Sequence, residues 1–252
     1  MLFRSERGMM PTHIYQPARR FFLTTFLAGS TWGLLGFPGL VTRLLAMEAR
    51  DFPQGVQKLQ GNVFINGRPA ALGDLVGEND VVTTGPDAMV VFVIGQGVYL
   101  LRDNSRFELN HASAGGTETG ITDLIRLYKG KMLGVFSRKQ RKQIFTSTAV
   151  LGIRGSGAYV ESEVSRSYVC LCYGRAKLTA NAEPAIIKKL STHHHEAPRF
   201  IYSSGEKLIR PAPVFNHTDA ELIMLEALVG RKPPFVRQGG GGNGGGNGGG
   251  GY

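Results

Sequence analysis

The two cysteines of this 252-residue chain, Cys170 and Cys172, stand in S-Y-V-C-L-C-Y-G. Their aromatic and β-branched neighbours read as a strand. Residues i and i+2 of a strand face the same side, so both sulfurs project together, with Cα atoms about 6.6 Å apart. That is near the upper limit for a disulfide, and a bridge within one strand would be strained. Two same-face thiolates can instead share one ion. Histidines follow in sequence: His193, His194 and His195, then His217 just before a helix start. Two thiolates and two imidazoles form a tetrahedral zinc set. The same donors suit copper or an iron–sulfur centre. Alternation along an extended chain puts His193 and His195 on one side and His194 on the other. The candidate metal ligands are therefore Cys170, Cys172, His193, His195 and His217. The spacing matches no zinc-finger pattern.

Two other readings of the pair stay open. A Cys-x-Cys unit can cycle between dithiol and a strained, oxidising disulfide, although no thioredoxin-like βαβ context surrounds it. Buried cysteines also serve as small hydrophobes. Signals for catalysis are poor, and the expectation is that the protein is not an enzyme. Gly155-Ser156-Gly157 is not a nucleophile elbow but a tight turn. No Walker or dinucleotide fingerprint occurs. Asp74, Asp80, Asp87 and Asp103 sit beside turn residues, where Asp serves local backbone hydrogen bonds.

The elements that must position these residues are mostly strands. Residues 55–178 carry strand-like runs at short spacing with turn punctuation between them. Asn66-Gly67 is a two-residue hairpin signal, because both positions tolerate positive φ. Gly73-Asp74, Gly85-Pro86 and Gly95-Gln96-Gly97 mark further turns. Met89–Ile94 is apolar on both faces and predicts a central, fully buried strand. Asn110–Gly120 reads as a polar loop, Ile121–Tyr128 as a strand ending at a Gly130 turn, and Arg138–Lys142 as a solvated loop. Asn181–Leu190 reads as a linker or short helix. Thr218-Asp219-Ala220-Glu221 is a capping box opening a helix over 219–229. Its apolar face is expected at Ile223, Met224, Ala227 and Leu228, with Gly230 as the left-handed stop.

Both ends read as non-globular. Arg19-Arg20 precedes the apolar stretch 21–41, followed by Arg43 and a small-residue site at Ala46 to Ala49. This predicts an export signal over 1–49, close to the twin-arginine pattern. An ordinary secretory signal and an uncleaved anchor are the alternatives. Residues 238–252 are glycine-rich and cannot build a core. From Arg50 onward, 24 Lys and Arg stand against 17 Asp and Glu, a net charge of about +7. That balance favours polyanions in general, but no nucleic-acid motif is present.

Thr146-x-x-Ala149, then Gly152-x-Arg154-Gly155-Ser156 and an aromatic strand, resembles the T-P-x-A-x-x-G-x-R-G-T signature of the FecR domain. GNVFING (61–67), LGDLVGENDVVTTGPDAMVVFVIG (72–95) and VYLLRDNSRFEL (98–109) occupy the places of its other elements. The resemblance covers residues 55–178. It implies an all-β domain of short antiparallel strands, a compact sandwich or solenoid-like unit, here with an N-terminal signal helix and one C-terminal α-helix. The best-known family members are membrane-anchored regulators of iron-responsive sigma factors. The 20 residues before the apolar stretch are too few for a packed cytoplasmic anti-sigma domain. The expected organisation is a signal (1–49), a FecR-like domain (50–178), a Cys/His-associated extension (179–237) and a glycine-rich tail (238–252). The expected role is an exported periplasmic binding or interaction module. A membrane-anchored sensor and a small thiol redox protein are the alternatives. The implied partner is a periplasmic or envelope protein rather than nucleic acid, with membrane contact only through the N-terminal segment.

Overall fold

The computed structural model describes residues 52–113, 121–139 and 141–236. The expected export signal (1–49), residues 114–120 of the expected loop and the glycine-rich tail lie outside the described residues. No helix among the described residues is long and apolar enough to cross a membrane.

Among the described residues the chain is all-β with one C-terminal helix. In order it forms β1 (Gly55–Gln60), β2 (Val63–Ile65), β3 (Arg68–Pro69), β4 (Val81–Thr84), β5 (Met89–Ile94), β6 (Gly97–Leu101), β7 (Arg106–Ser113) and β8 (Ile121–Val135). There follow β9 (Arg141–Phe145), β10 (Ala149–Ile153), β11 (Gly157–Ser162), β12 (Arg166–Ala180), β13 (Ile187–Thr192), β14 (Arg199–Tyr202), β15 (Ile209–Pro211) and α1 (Asp219–Leu228). One sheet runs β1-β5-β6-β8-β11-β12-β14-β15. The second runs β3-β2-β4-β7-β8-β9-β10-β12-β13.

Strands β8 and β12, each of 15 residues, belong to both sheets. Each crosses from one sheet to the other at a glycine with positive φ, Gly130 at +93° and Gly174 at +100°. Any other residue would be strained there. A Cβ would also fall 2.4 Å from the Ser105 Cα at Gly130, and 2.4 Å from the Ser156 Oγ at Gly174. Gly130 is thus a bend inside a continuous strand and not the expected turn. The two sheets bury one core between them. Phe92, Tyr99, Met132, Val160 and Leu171 come from the first, and Phe107, Leu109, Ile125, Ile144, Leu151 and Leu178 from the second.

The other face of the first sheet is buried too. Val91, Val93, Val98, Leu100, Leu133, Tyr159, Tyr168, Cys170 and Cys172 pack under Leu222, Leu225 and Val229 of the helix segment. This double burial explains why β5 is apolar on both faces. The helix begins at the capping box: the Glu221 N–H reaches the Thr218 Oγ1 at 3.3 Å, and the Thr218 N–H donates to the Glu221 carboxylate at 2.9 Å. Its buried stripe is Leu222, Leu225 and Glu226, not the expected face, for Ile223 and Met224 are exposed. The chosen stripe tolerates Glu226 because Tyr173 and Arg231 both donate to its carboxylate.

Two other local expectations change and one holds. Lys142 is not in a solvated loop: it lies on β9, buried and ion-paired with Asp123 directly opposite on β8. β8 and β9 are parallel, unlike every other pair described. Residues 187–192 form a strand instead of a linker or helix, because β12 offers them a free edge and β13 completes the second sheet. At Asn66-Gly67 the expected hairpin stands, with φ of 52° and 77°.

Candidate metal centre

β12 places the thiols. Val169 and Leu171 enter the inter-sheet core, so Tyr168, Cys170 and Cys172 face the helix. Both cysteines are free and wholly buried. The segment after β13 brings the first histidine over them. His195 takes φ +58°, and its backbone N–H donates to the Cys172 carbonyl at 2.9 Å. The turn breaks the alternation expected for an extended segment. His193 consequently lies apart, exposed, with its backbone N–H on the Glu196 carboxylate at 2.8 Å. The other histidine comes from the approach to α1. His217 is buried and stacks on Tyr159, with ring centroids 4.6 Å apart and planes 15° from parallel.

The structure therefore gathers Cys170, Cys172, His195 and His217 of the five candidates and leaves His193 out. One ligand atom of each, two Sγ, His195 Nδ1 and His217 Nε2, lies within 4.8 Å of all the others. Cys170 Sγ is 3.4 Å from His195 Nδ1, and that nitrogen is 3.0 Å from His217 Nε2.

The far nitrogen of each ring fixes its tautomer. His217 Nδ1 lies 2.7 Å from the Phe215 carbonyl oxygen, which can only accept, so Nδ1 carries the proton. His195 Nε2 lies 3.0 Å from a carboxylate oxygen of Asp219, so its proton is there. With both rings neutral, the two nitrogens that face each other at 3.0 Å both present lone pairs. Such a contact needs a cation between the nitrogens, either a second proton on His195 or a metal ion. With two sulfurs beside them, the set has the composition of a tetrahedral metal site. The carboxylate and carbonyl behind the rings are the supports that metal-bound imidazoles use.

Without an ion, the electrostatics favour a thiolate beside a protonated imidazole. Cys172 beside it, then His195 and His217, hold the Cys170 thiol well below the usual thiol range, although burial opposes them. Burial, and after it the Cys170 sulfur, pushes Cys172 up. Burial works against a charged His195, yet Cys170 and Asp219 on either side keep its pKa above the ordinary value. Burial would raise Asp219, but the His194 and His195 rings hold it below the usual carboxylate range.

Two participants were not legible as site residues. Asp219 is the first residue of α1 and bridges His195 and the exposed His194, whose Nε2 is 2.8 Å from its carboxylate. The signal for Asp219 is a carboxylate two residues beyond a candidate histidine. His194, set on the wrong side by simple alternation, stacks on Phe235 with ring centroids 4.4 Å apart.

A comparison with protein-family models finds no match, and no curated protein matches. Two crystal structures of a protein described as "a putative anti-sigma factor" from Parabacteroides distasonis ATCC 8503, at 1.65 and 2.50 Å, are similar to the chain. Each gives a TM-score of 0.41 and 12% identity over 52% of this chain and 59% of that one. The chain thus spans less than two thirds of the neighbours' length. The functional conclusion rests on the site's own geometry.

Proposed function

We propose that the protein is an exported, metal-stapled β module whose role is binding rather than catalysis. In this reading Cys170, Cys172, His195 and His217 hold one zinc ion. The observation that carries the metal is the convergence of one ligand atom from each of the four residues within 4.8 Å, with the outer nitrogen of each ring already serving an acceptor. Four protein ligands and wholly buried sulfurs leave no open coordination position, which is the pattern of a structural site. The ion would join the start of α1 to β12 and the turn after β13, which already share the His195–Cys172 backbone hydrogen bond. Burial of both sulfurs also counts against thiol exchange, which needs access. The export signal expected over residues 1–49 and the FecR resemblance of residues 55–178 support a periplasmic setting.

Elemental analysis of the purified full chain is the test. One equivalent of metal per chain is expected, lost in C170S/C172S and retained in H193A. Cobalt in place of zinc should give a thiolate charge-transfer band. A chain that stays metal-free after reconstitution with zinc overturns the reading. Amino-terminal sequencing of the exported protein tests the compartment. A mature start near Arg50 is expected, and a chain retaining residues 21–41 would indicate the anchored alternative.

A further inference from the structure

The outer face of the second sheet carries an array of cations that the metal centre does not use. Arg141 of β9, Arg154 after β10, Arg175 and Lys177 of β12 and Lys189 of β13 line a cavity of about 510 Å³. It adjoins a second cavity of about 650 Å³ that shares Arg154 and Arg175 and adds Arg138. No carboxylate lines either one. None of these six side chains has a carboxylate partner among the described residues.

The register makes this array costly. Lys177 lies directly opposite Lys189 in the β12–β13 ladder, and like charges directly opposite are destabilising. Gly152 lies between Lys177 and Gln143 and forms the floor. A Cβ there would meet nothing nearer than the Lys177 carbonyl at 3.8 Å, so the depression is open because a side chain is missing. Arg154 is held in place by its Nε, which donates to the Arg138 carbonyl at 3.1 Å. The β7–β8 half of the same face is built differently. There Glu108 accepts from Tyr128 at 2.6 Å and from Asn110 at 2.9 Å, with Arg106 and Arg126 nearby. Charge is compensated on one half of the face and left open on the other.

We infer that this trough binds a linear polymer bearing phosphate or sulfate groups. Guanidinium forks match such oxyanions, and cations from four separate segments suit a ligand with repeated charges. An acidic peptide laid across the sheet face fits less well, because the backbone groups beneath it are paired in the β9–β10–β12–β13 ladders and, among the described residues, only the outer edge of β13 is free. The lining holds no Phe, Tyr or Trp ring on which a base could stack, and one imidazole, His193, which disfavours single-stranded nucleic acid.

The test is calorimetric titration of the full chain with inorganic polyphosphate. The variant R175Q/K177Q/K189Q changes exposed side chains only. K58Q/K129Q/K207Q removes the same charge elsewhere on exposed positions. The trough variant should bind at least tenfold more weakly, and its log–log salt slope should fall by about 2, at roughly 0.7 per lost contact. The control should stay within twofold of the parent. Equal weakening by both variants overturns the site. Tighter binding of poly-glutamate or of single-stranded DNA, or binding only to anionic-lipid vesicles, overturns the ligand class.

Discussion

The two sheets turn their outer faces to different uses, and the same strand supplies both. The first half of β12 puts Cys170 and Cys172 under α1, in a face closed by Leu222, Leu225 and Val229. Its second half puts Arg175 and Lys177 on an uncovered face. The change of environment takes place at Gly174. One face gathers groups that need shielding from water, and the other gathers groups that keep their water until a ligand displaces it. A single bent strand can therefore carry a buried centre and an open cationic surface a few residues apart.

The comparison breaks most completely at the bends. Gly130→Ala forces a Cβ against the Ser105 backbone at a φ of +93°. The expected loss is about 3–6 kcal/mol from backbone strain plus overpacking, read by chemical denaturation. Gly73→Ala has a similar φ of +83° but open space around it, and should cost only about 1–2 kcal/mol. Equal losses would mean that the close approach at Gly130 is unimportant to the two-sheet arrangement.

Metal removal tests the covered face alone. Chelation should lower stability by on the order of 4 kcal/mol if free metal normally stands a thousandfold above Kd. That is a Tm lower by about 8–16 °C for a domain of this size. Proteolysis should then cut first in residues 212–236. Unchanged Tm in C170S/C172S would sever the centre from the docking of α1. Lys142→Met reaches the layer between the faces. It removes the ion-pair partner of the buried Asp123 carboxylate and should cost about 3 kcal/mol, while D123L/K142M recovers most of it. A double variant as unstable as the single one would show that the pair is not the unit.

Much of this division was legible in the residues, and the failures have physical causes. The β5 run, the Asn66-Gly67 hairpin and the Thr218 capping box are local signals, and each element stands where its residues place it. Strands β8 and β12 were obscured because glycine usually punctuates a strand, and here it bends one. β13 lacks apolar alternation because an edge strand needs few buried side chains, and only Leu190 and Thr192 of it are buried. The helix face was misassigned because the true stripe contains Glu226, whose partners Tyr173 and Arg231 are not local in sequence. His193 was chosen over His194 because a left-handed residue at His195 cannot be seen in a pattern of alternation.

A smaller effect separates the two halves of the open face. Tyr128, then Asn110, holds the Glu108 carboxyl below the usual range. A depressed folded pKa contributes stability above the unfolded value of about 4.3, and that contribution is lost as pH falls through the folded pKa. Tyr128→Phe should cost a few tenths of a kcal/mol at neutral pH after solvent screening. The deficit should vanish in acid. A deficit independent of pH would assign it to packing instead.

The smallest expected change is the most discriminating. R175Q/K177Q/K189Q should leave stability within about 0.5 kcal/mol, as exposed substitutions do. At low salt the variant should be slightly more stable than the parent, because Lys177 and Lys189 no longer repel across the ladder. Added salt should erase that gain by screening. Residues whose loss weakens polyphosphate binding yet relieves the fold cannot owe their placement to stability. A clear destabilisation at low salt would instead give these cations a structural role, and both outer faces would then serve the fold.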